Sequence, residues 1–217
     1  MTGYTLVNIL GGALILTSML VVLSKAPRKA AFLYAIQSLV LISLFVVLGM
    51  TTGSTELYTW AGTGFLTKVL FVPLAILFVC KKMGDAGAGL ESKLTPVKSI
   101  VLIAIEVFVC FVVVQGIDLP TAADVKPALA ISLAHFFIGL TCIVTQRNIV
   151  KQIFGYCLME NGSHVTLALL APQAPELVEV GIATDAIFAV VIMAVVAMRI
   201  YRTAGTLDAD DLMELKG

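Results

Sequence analysis

Six ionisable side chains lie inside long apolar stretches of this sequence, and they are its strongest candidates for chemistry. They are Lys68, Glu106, His135, Glu160, His164 and Asp185. Inserting an ionisable side chain into hydrocarbon costs about 2.5 to 3.5 kcal/mol on insertion scales, so each one is expected to have a polar partner or a function. A carboxyl group shielded there favours its neutral form unless a cation lies beside it, so it can load and release a proton. The residue types therefore predict proton transfer.

The depth of each group within its apolar stretch separates these candidates. Counting 1.5 Å per residue from the nearest end places Glu160 about 16 Å deep, where a short side chain cannot reach water. Glu106 and Asp185 come out roughly 12 Å from opposite faces, and Lys68 about 9 Å from one face. A functional role is favoured over a purely structural one for Glu160 and next for Asp185. Glu106 is one turn from an interface, and the Lys68 stem can extend past Gly64 to water, so both readings stay open for these two.

The two histidines are also predicted to take part in proton transfer. His164 follows Glu160 by four residues, which puts both side chains on one helix face, where they can share a proton. His135 and His164 lie nearer the ends of their stretches. The alternative is that each one forms a hydrogen bond to a neighbouring helix and does no more.

The elements that must position these groups are apolar stretches long enough to cross a bilayer. The chain has 217 residues, 59% of them apolar and 13% charged, whereas a soluble domain has about 25% charged residues. The fold class that follows is all-α, a polytopic membrane protein with seven transmembrane helices, because each stretch matches a hydrocarbon core roughly 30 Å thick. The predicted spans are 5–23, 30–50, 62–80, 98–115, 128–144, 149–170 and 177–198. Pro73 predicts a kink in the third.

The basic residues alternate between the two sides of these spans. Those assigned to one side are Lys25, Arg28, Lys29, Lys81, Lys82, Lys93, Lys98, Arg147, Lys151, Arg199 and Arg202. The opposite loops hold Lys126 beside four acidic residues, Glu56, Asp118, Asp124 and Glu176. Cytoplasmic loops carry the excess of Lys and Arg, so the pattern predicts the N-terminus outside and the C-terminus inside.

The chain is predicted to divide at its polar segments. Residues 1–82 hold helices 1–3, and 83–97 form a cytoplasmic linker that Gly84, Gly87 and Gly89 make flexible. Residues 98–126 hold helix 4 and an outer loop, 127–202 form a three-helix unit, and 203–217 form a cytoplasmic tail. That acidic tail is predicted to be either a frayed terminus or a docking peptide for a partner.

Several kinds of chemistry leave no trace in the sequence. Cys80, Cys110, Cys142 and Cys157 are far apart in apolar runs, which predicts small buried side chains instead of metal ligands. No phosphate loop, HExxH or GxSxG pattern occurs, so no catalytic site, cofactor or metal is expected in this chain. Net charge is zero, and no basic surface indicates a nucleic-acid partner.

Two segments resemble the hydrogenase-4 component E family. The first is residues 146–162, Gln-Arg-Asn-Ile-Val-Lys-Gln-Ile-Phe-Gly-Tyr-Cys-Leu-Met-Glu-Asn-Gly, and the second is 178–185, Val-Glu-Val-Gly-Ile-Ala-Thr-Asp, followed by an apolar run to Tyr201. The resemblance implies a membrane subunit of a formate-hydrogenlyase-type or related energy-converting hydrogenase complex in a prokaryotic cytoplasmic (inner) membrane. Its implied partners are other membrane subunits, including antiporter-like ones, and indirectly soluble hydrogenase-type subunits.

The last three helices further resemble the K-type subunit of respiratory complex I, whose second and third helices carry acidic residues. Asp185 falls where the acid of the third helix is expected. Aligning Gly155 and Asn161 with that pattern places Cys157 where the acid of the second helix stands, with Glu160 nearly one turn further on. The resemblance implies proton transfer by Glu160 and Asp185.

The resulting hypothesis is a non-redox membrane subunit of a hydrogenase-4-like complex that contributes to proton translocation through buried carboxylates. Glu160 and Asp185 carry or relay protons, assisted by His164, Glu106, Lys68 and His135. Hydrogen and formate chemistry would then belong to soluble partners. Two alternatives remain open: a subunit of a cation/proton antiporter, and a structural scaffold whose charges only fix the contacts between helices.

Overall fold

The chain folds into a bundle of long helices. A computed structural model describes residues 3–84, 90, 92–118 and 120–213, and no strand occurs within these ranges. The long helices are α1 (Gly3–Leu23), α2 (Pro27–Thr52), α3 (Glu56–Lys82), α4 (Pro96–Gln115), α5 (Lys126–Thr145), α6 (Ile149–Leu170) and α7 (Glu176–Ala204), and a short α8 (Ala209–Met213) follows. A 3₁₀ segment, Pro120–Val125, precedes α5. The all-helical prediction is confirmed for these ranges.

Six of the long helices are apolar enough, over at least 18 residues, to cross a bilayer. The helix outside this set is α6, which has 22 residues and spans the predicted range 149–170. Its length suffices, but Lys151, Glu160, Asn161 and His164 lower its mean hydropathy. The described residues thus contain six candidate membrane-spanning helices, and the seventh span and the orientation of the chain stay predictions.

Helix ends follow local rules that the sequence shows. Pro27 and Pro96 occupy first-turn positions of α2 and α4, where a missing N–H costs no hydrogen bond. The side chain of Asn148 caps α6 by accepting a hydrogen bond from the Val150 N–H at 2.9 Å, as expected of an N-cap asparagine. Gly205 ends α7 at φ +71°, a left-handed conformation that glycine adopts without a Cβ penalty.

The third helix departs from regular α geometry in its middle. Residues Phe65–Phe71 form a π-helical segment between Glu56–Gly64 and Val72–Lys82. The N–H of Val72 donates to the Thr67 carbonyl five residues earlier, and Pro73 follows directly. π segments are rare and occur frequently at functional sites. The kink predicted at Pro73 stays a prediction, and the irregularity that the structure shows is this π segment, which contains Lys68.

The tightest contact in the bundle joins α5 to α6. A Cβ on Gly139 would lie 2.6 Å from the Gly155 carbonyl oxygen, and one on Gly155 would lie 2.8 Å from the Ile143 nitrogen. Both obstacles are backbone atoms of the facing helix, so they cannot rotate away. Ser132 and Thr166 add a hydrogen bond of 2.8 Å across the same contact. The two helices therefore pack backbone to backbone, as small residues allow in membranes.

The buried apolar side chains form two clusters stacked along the bundle axis. One contains Tyr34, Ile76 and Phe154, and the other contains Phe45, Trp60 and Val165. The second lies toward the end of the bundle where α6 ends and α7 begins, here called the Glu176 face. The opposite end, where α5 ends and α6 begins, is called the Arg147 face. All four cysteines are buried without forming disulfides.

The tail beyond α7 returns to the Arg147 face. Asn148 and Asp208 pair as an isolated antiparallel bridge, and the Arg147 side chain binds the carboxylates of Asp208 and Asp210. Residues 206–211 are therefore packed on the loop between α5 and α6 and are not frayed. Residues 214–217, and Gly87 and Gly89 of the predicted flexible linker, lie outside the described residues.

Candidate functional site

A layer of buried polar side chains separates the two apolar clusters. On each of five helices one polar residue lies between a residue of one cluster and a residue of the other. These residues are Ser18 on α1, Gln37 on α2, Lys68 on α3, His135 on α5 and Asn161 on α6, each at most 1% exposed. Burying so many polar groups at one level is costly unless they bond to one another. Their hydrogen bonds supply that compensation.

Lys68 is the positive charge of this layer. Its Nζ lies 2.5 Å from Glu160 Oε1 and 2.8 Å from Asn161 Oδ1. The ammonium group therefore joins α3 to two successive residues of α6. The alternative in which Lys68 extends to water is not what the structure shows. Its predicted role in proton transfer is not tested by this geometry.

The layer continues from Asn161 to the other side of the bundle. Asn161 Nδ2 donates to Gln37 Oε1 at 3.0 Å and to the Tyr34 hydroxyl at 3.4 Å. Gln37 Nε2 is 3.4 Å from His135 Nε2, and His135 Nδ1 is 3.0 Å from the Ser18 hydroxyl. A connected network thus extends from Glu160 on α6 to Ser18 on α1, roughly perpendicular to the helices.

A second polar contact lies one turn toward the Glu176 face. His164 Nε2 is 2.7 Å from Glu179 Oε2, and both side chains are at most 1% exposed. The His164 ring packs against Trp60 at 5.1 Å and against Phe45 at 4.8 Å between centroids. Within the described residues, none of the four polar atoms of this pair has a partner in good hydrogen-bond geometry. The pair joins α6 to α7 in an aromatic pocket.

An open groove separates the other side of α6 from α7. It has a volume of about 300 Å³ and is lined by Tyr156, Glu160, Ser163, His164, Ile182 and Asp185, among others. Glu160 has 14% of its side chain exposed, so its carboxylate lies between Lys68 and this groove. Asp185 is exposed, although it lies ten residues into a 29-residue apolar helix. The predicted role of Asp185 in proton transfer stays a prediction.

Glu106 stands apart from the layer. It is half-buried on α4 and accepts a hydrogen bond from the Thr141 hydroxyl on α5. Its Oε2 has no partner among the described residues. The structure thus brings together Lys68, Glu160, His164 and His135, places Asp185 across the groove from Glu160, and leaves Glu106 on the other side of α5.

Four residues of the site were not predicted from the ionisable residues in apolar stretches. Three of them, Ser18, Gln37 and Asn161, are neutral. Gln37 and Ser38 are nevertheless two adjacent polar residues in the apolar run from Ala30 to Met50, which is a usable signal. Glu179 lies one turn inside α7 and reads as an interfacial residue from its position along the sequence.

The described residues contain no group of three or more His, Cys, Asp or Glu side chains that could hold a metal ion. What the site offers is an ion pair, amides and imidazoles joined by hydrogen bonds. Such groups can store charge and bind protons, and they offer no electron carrier. The prediction that this chain carries no cofactor stays a prediction.

Comparison with known proteins first defines the class. The model of the family NADH-ubiquinone/plastoquinone oxidoreductase chain 4L matches residues 127–217, which include α5, α6 and α7. The C-terminal half is thus similar to a membrane subunit of the complex I type. No solved structure matches the chain.

Full-length relatives then identify the family. The chain is 50% identical over all 217 residues to Hydrogenase-4 component E of Escherichia coli (strain K12), and equally to that of Shigella flexneri, with both chains covered completely. It is 26% identical over 216 residues to an uncharacterized protein of Mycobacterium tuberculosis (strain H37Rv), covering 97% of this chain and 96% of the relative. The chain belongs to the hydrogenase-4 component E family, as its sequence predicted, and it is an integral membrane protein.

Proposed function

We propose that this chain is a non-redox membrane subunit of an energy-converting hydrogenase complex and that Lys68 and Glu160 form its proton-transfer centre. The ion pair between Lys68 on α3 and Glu160 on α6 carries this proposal, because it lies at the level of the buried polar layer. Identity of 50% to Hydrogenase-4 component E supports the type of complex. The similarity to chain 4L supports a role in ion movement.

The polar layer divides into groups that bind protons and groups that hold them in place. Glu160, Lys68 and His135 can each gain or lose a proton. Asn161 and Gln37 donate and accept hydrogen bonds without changing charge, so they hold Lys68 and His135 in a fixed relation. The layer thus couples charges across the bundle, and proton exchange occurs at the Glu160 end, which borders the groove.

The pair can act as a switch because its two members depend on each other. While the Lys68 ammonium contacts Glu160, it stabilises the ionised carboxylate. Withdrawal of that charge, by movement of Lys68 or by transfer of its proton, favours the protonated carboxyl. The groove gives that proton a route to and from Glu160. Pairing and separation would then alternate with events in partner subunits, which supply the free energy.

The exposed carboxylate of Asp185 assigns the α7 face to a partner. A carboxylate facing hydrocarbon at this depth is costly, and Asp185 is exposed among the described residues. We expect another membrane subunit, antiporter-like in type, to cover α7 and to present a cation or hydrogen-bond donor to Asp185. Glu106 and His135 are proposed as auxiliary sites, Glu106 because its half-buried carboxyl has one unpartnered oxygen.

For the remaining parts of the chain we propose the roles that its sequence predicted. The N-terminus is proposed to lie outside and the C-terminus inside a bacterial cytoplasmic membrane. Residues 127–202 would be the K-type unit, and residues 1–82 and 98–126 would cover it with additional helices. Hydrogen and formate chemistry would take place in soluble partner subunits.

The test compares three variants in the intact complex. Glu160→Gln, Lys68→Gln and the double variant are expressed with all partner subunits, and protons moved per hydrogen turned over are measured in sealed vesicles. Either single variant is expected to lower that ratio at least tenfold. Lys68→Gln also leaves the Glu160 charge without its partner, at a cost of about 3 to 5 kcal/mol if it stays ionised, so less complex should assemble.

The double variant separates a relay from a scaffold. Both readings predict that two neutral glutamines restore assembly, because no charge is left unpaired. A scaffold would then also regain proton movement, whereas a relay would not. Glu56→Gln, at the surface end of α3, serves as the control for losing a carboxylate. Recovered proton movement in the double variant would refute the proposal.

A further inference from the structure

The buried pair His164–Glu179 is not used by the centre just described. Both side chains are almost completely enclosed, and their nearest polar atoms are 2.7 Å apart. We propose that this pair is a second proton-binding site, which connects the Glu176 face of the bundle to Glu160. The inference rests on the proposed function of Glu160 and adds a route to one side of the membrane.

Energetics make a purely structural role for this pair expensive. Burying a polar atom without a hydrogen bond is costly, and beyond the contact between Nε2 and Oε2, His164 Nδ1 and Glu179 Oε1 have no polar partner among the described residues. Trp60 and Phe45 surround the imidazole and provide no hydrogen bonds to it. An apolar pair of similar volume would join α6 to α7 at lower cost. The unpaired atoms are better explained if the pair exchanges a proton, because an atom that accepts a proton needs a free lone pair.

The position of the pair fits a route from the surface. Glu179 lies in the first turn of α7, so about 4.5 Å of helix separates it from the Glu176 end. His164 lies one helical turn from Glu160 on α6. Both His164 and Glu160 line the same groove, whose volume of about 300 Å³ is large enough for several water molecules at roughly 30 Å³ each. A proton that enters from the surface would therefore reach Glu179 first, then His164 and then Glu160.

The proton transfer balances without any further reactant. A proton arriving from the Glu176 face binds the Glu179 carboxylate and passes from its oxygen to Nε2 of His164. The imidazolium then releases the proton on Nδ1, which is buried in this conformation and must turn into the groove before Glu160 receives the proton. Exchange of the imidazole tautomer returns His164 to its starting form. One proton has moved, and the net charge of the pair is unchanged.

The surroundings of the imidazole are aromatic and charged side chains. The ring packs against Trp60 and Phe45, and its Nε2 faces Glu179 Oε2. Among charged groups, Lys68 and Glu160 act on His164, and Lys68 acts on Glu179. Asp185 lines the groove from α7. Variants of the pair must therefore be compared with Lys68 and Glu160 intact.

The experiment uses the complete complex in sealed vesicles of both orientations. Proton movement per hydrogen turned over is measured while the pH on one side is varied and the other is buffered. In Glu179→Gln the response to pH on the Glu176 face is expected to be lost, with proton movement reduced about tenfold. The response to pH on the Arg147 face should remain. A merely structural role would lower the amount of complex without removing one side's response.

The controls separate this inference from the proposed function. Glu176→Gln removes an exposed carboxylate from the same first helical turn, so it reproduces any effect on the helix dipole. If Glu179→Gln lowers assembly, Glu179→Asp retains an exchangeable proton and should preserve part of the one-sided response. A full response in Glu179→Gln, with coupling lost in Glu160→Gln, would overturn the inference alone. An unaffected Glu160→Gln would instead refute the proposed function.

Discussion

The two sides of α6 have opposite construction. Toward α5 the backbones meet at Gly139, Gly155 and Gly162, and no position there has space for a further carbon atom. Toward α7 the helix borders an open groove of about 300 Å³ that holds Glu160 and His164. One helix thus has a rigid side and an open side. Ionisable groups require a fixed support and also room for water or a partner, and this helix provides both.

The largest effect is expected from breaking the rigid side. Gly139→Ala places a methyl group 2.6 Å from the Gly155 carbonyl oxygen, so α5 and α6 must separate. Overpacking typically costs about 1 to 3 kcal/mol, and more where backbone must move. We expect little folded protein, measured as the monodisperse fraction after detergent extraction and as thermal unfolding. Gly12→Ala, whose Cβ meets nothing within 4 Å, is the control and should be neutral or slightly stabilising. Normal stability of Gly139→Ala would disprove the close contact.

The next effect comes from filling the open side. Ser163 is exposed and lines the groove, so Ser163→Phe should occupy that space without disturbing the packing of α5. We expect unfolding temperatures close to those of the parent chain and at least a tenfold loss of proton movement. Ser43→Phe is the matched control, because Ser43 is an exposed serine on α2 that bonds only to its own helix, at Leu39. Equal coupling in both variants would show that the groove is not part of the route.

A smaller effect is expected on assembly with partners. Asp185→Leu removes the carboxylate from the exposed face of α7, and loss of one member of a desolvated charge pair costs about 2 to 5 kcal/mol. The chain itself should fold normally, because Asp185 is exposed in the part of the chain that the structure describes. Recovery of other membrane subunits on an affinity-tagged chain should fall at least tenfold, whereas the neighbouring Thr184→Val should retain them. Full recovery with Asp185→Leu would mean that this face contacts lipid.

The smallest effect concerns the tail at the beginning of α6. The hydrogen bond from Arg147 holds the pKa of Asp208 below its ordinary value, which is about 3.9. This pair therefore stabilises the attached tail above that pH, and the contribution disappears as pH falls through the lower folded-state value. Hydrogen exchange at the Ala209 amide, which donates to the Arg147 carbonyl at 2.8 Å, should accelerate relative to the intrinsic exchange rate below about pH 4. In Asp208→Asn it should be roughly tenfold faster at neutral pH and lose this pH dependence.

The sequence predicted helices better than it predicted contacts. Predicted 149–170 coincides with Ile149–Leu170, and the other spans differ from the helices by up to six residues at an end, because apolar length determines a span. The site was only partly predicted. Glu160 and Lys68 were identified singly from their depth, but their pairing across 92 positions depends on the rotation of two helices, which hydropathy does not encode.

The same reasoning explains what was missed. The exposed position of Asp185 depends on which side of α7 faces the bundle, and α7 has apolar residues on nearly all sides. Glu179 was overlooked because counting from a predicted span end at Leu177 placed it at the water boundary. Neutral Gln37 and Asn161 acquire their importance only from the charges they separate. Each of these facts belongs to tertiary packing.

The π segment of α3 has a consequence for the length of that helix. One extra residue in a turn rotates everything beyond it by about 100° relative to a regular α-helix. Trp60 and Ile76, which lie on either side of the segment, are therefore both buried in the bundle, although 16 residues of regular α-helix would place them about 160° apart. Deleting a single residue between Phe65 and Phe71 would restore regular winding, and it would turn one of these two side chains outward. The π segment thus sets the rotation between the two halves of α3, so that each half buries its own side chains.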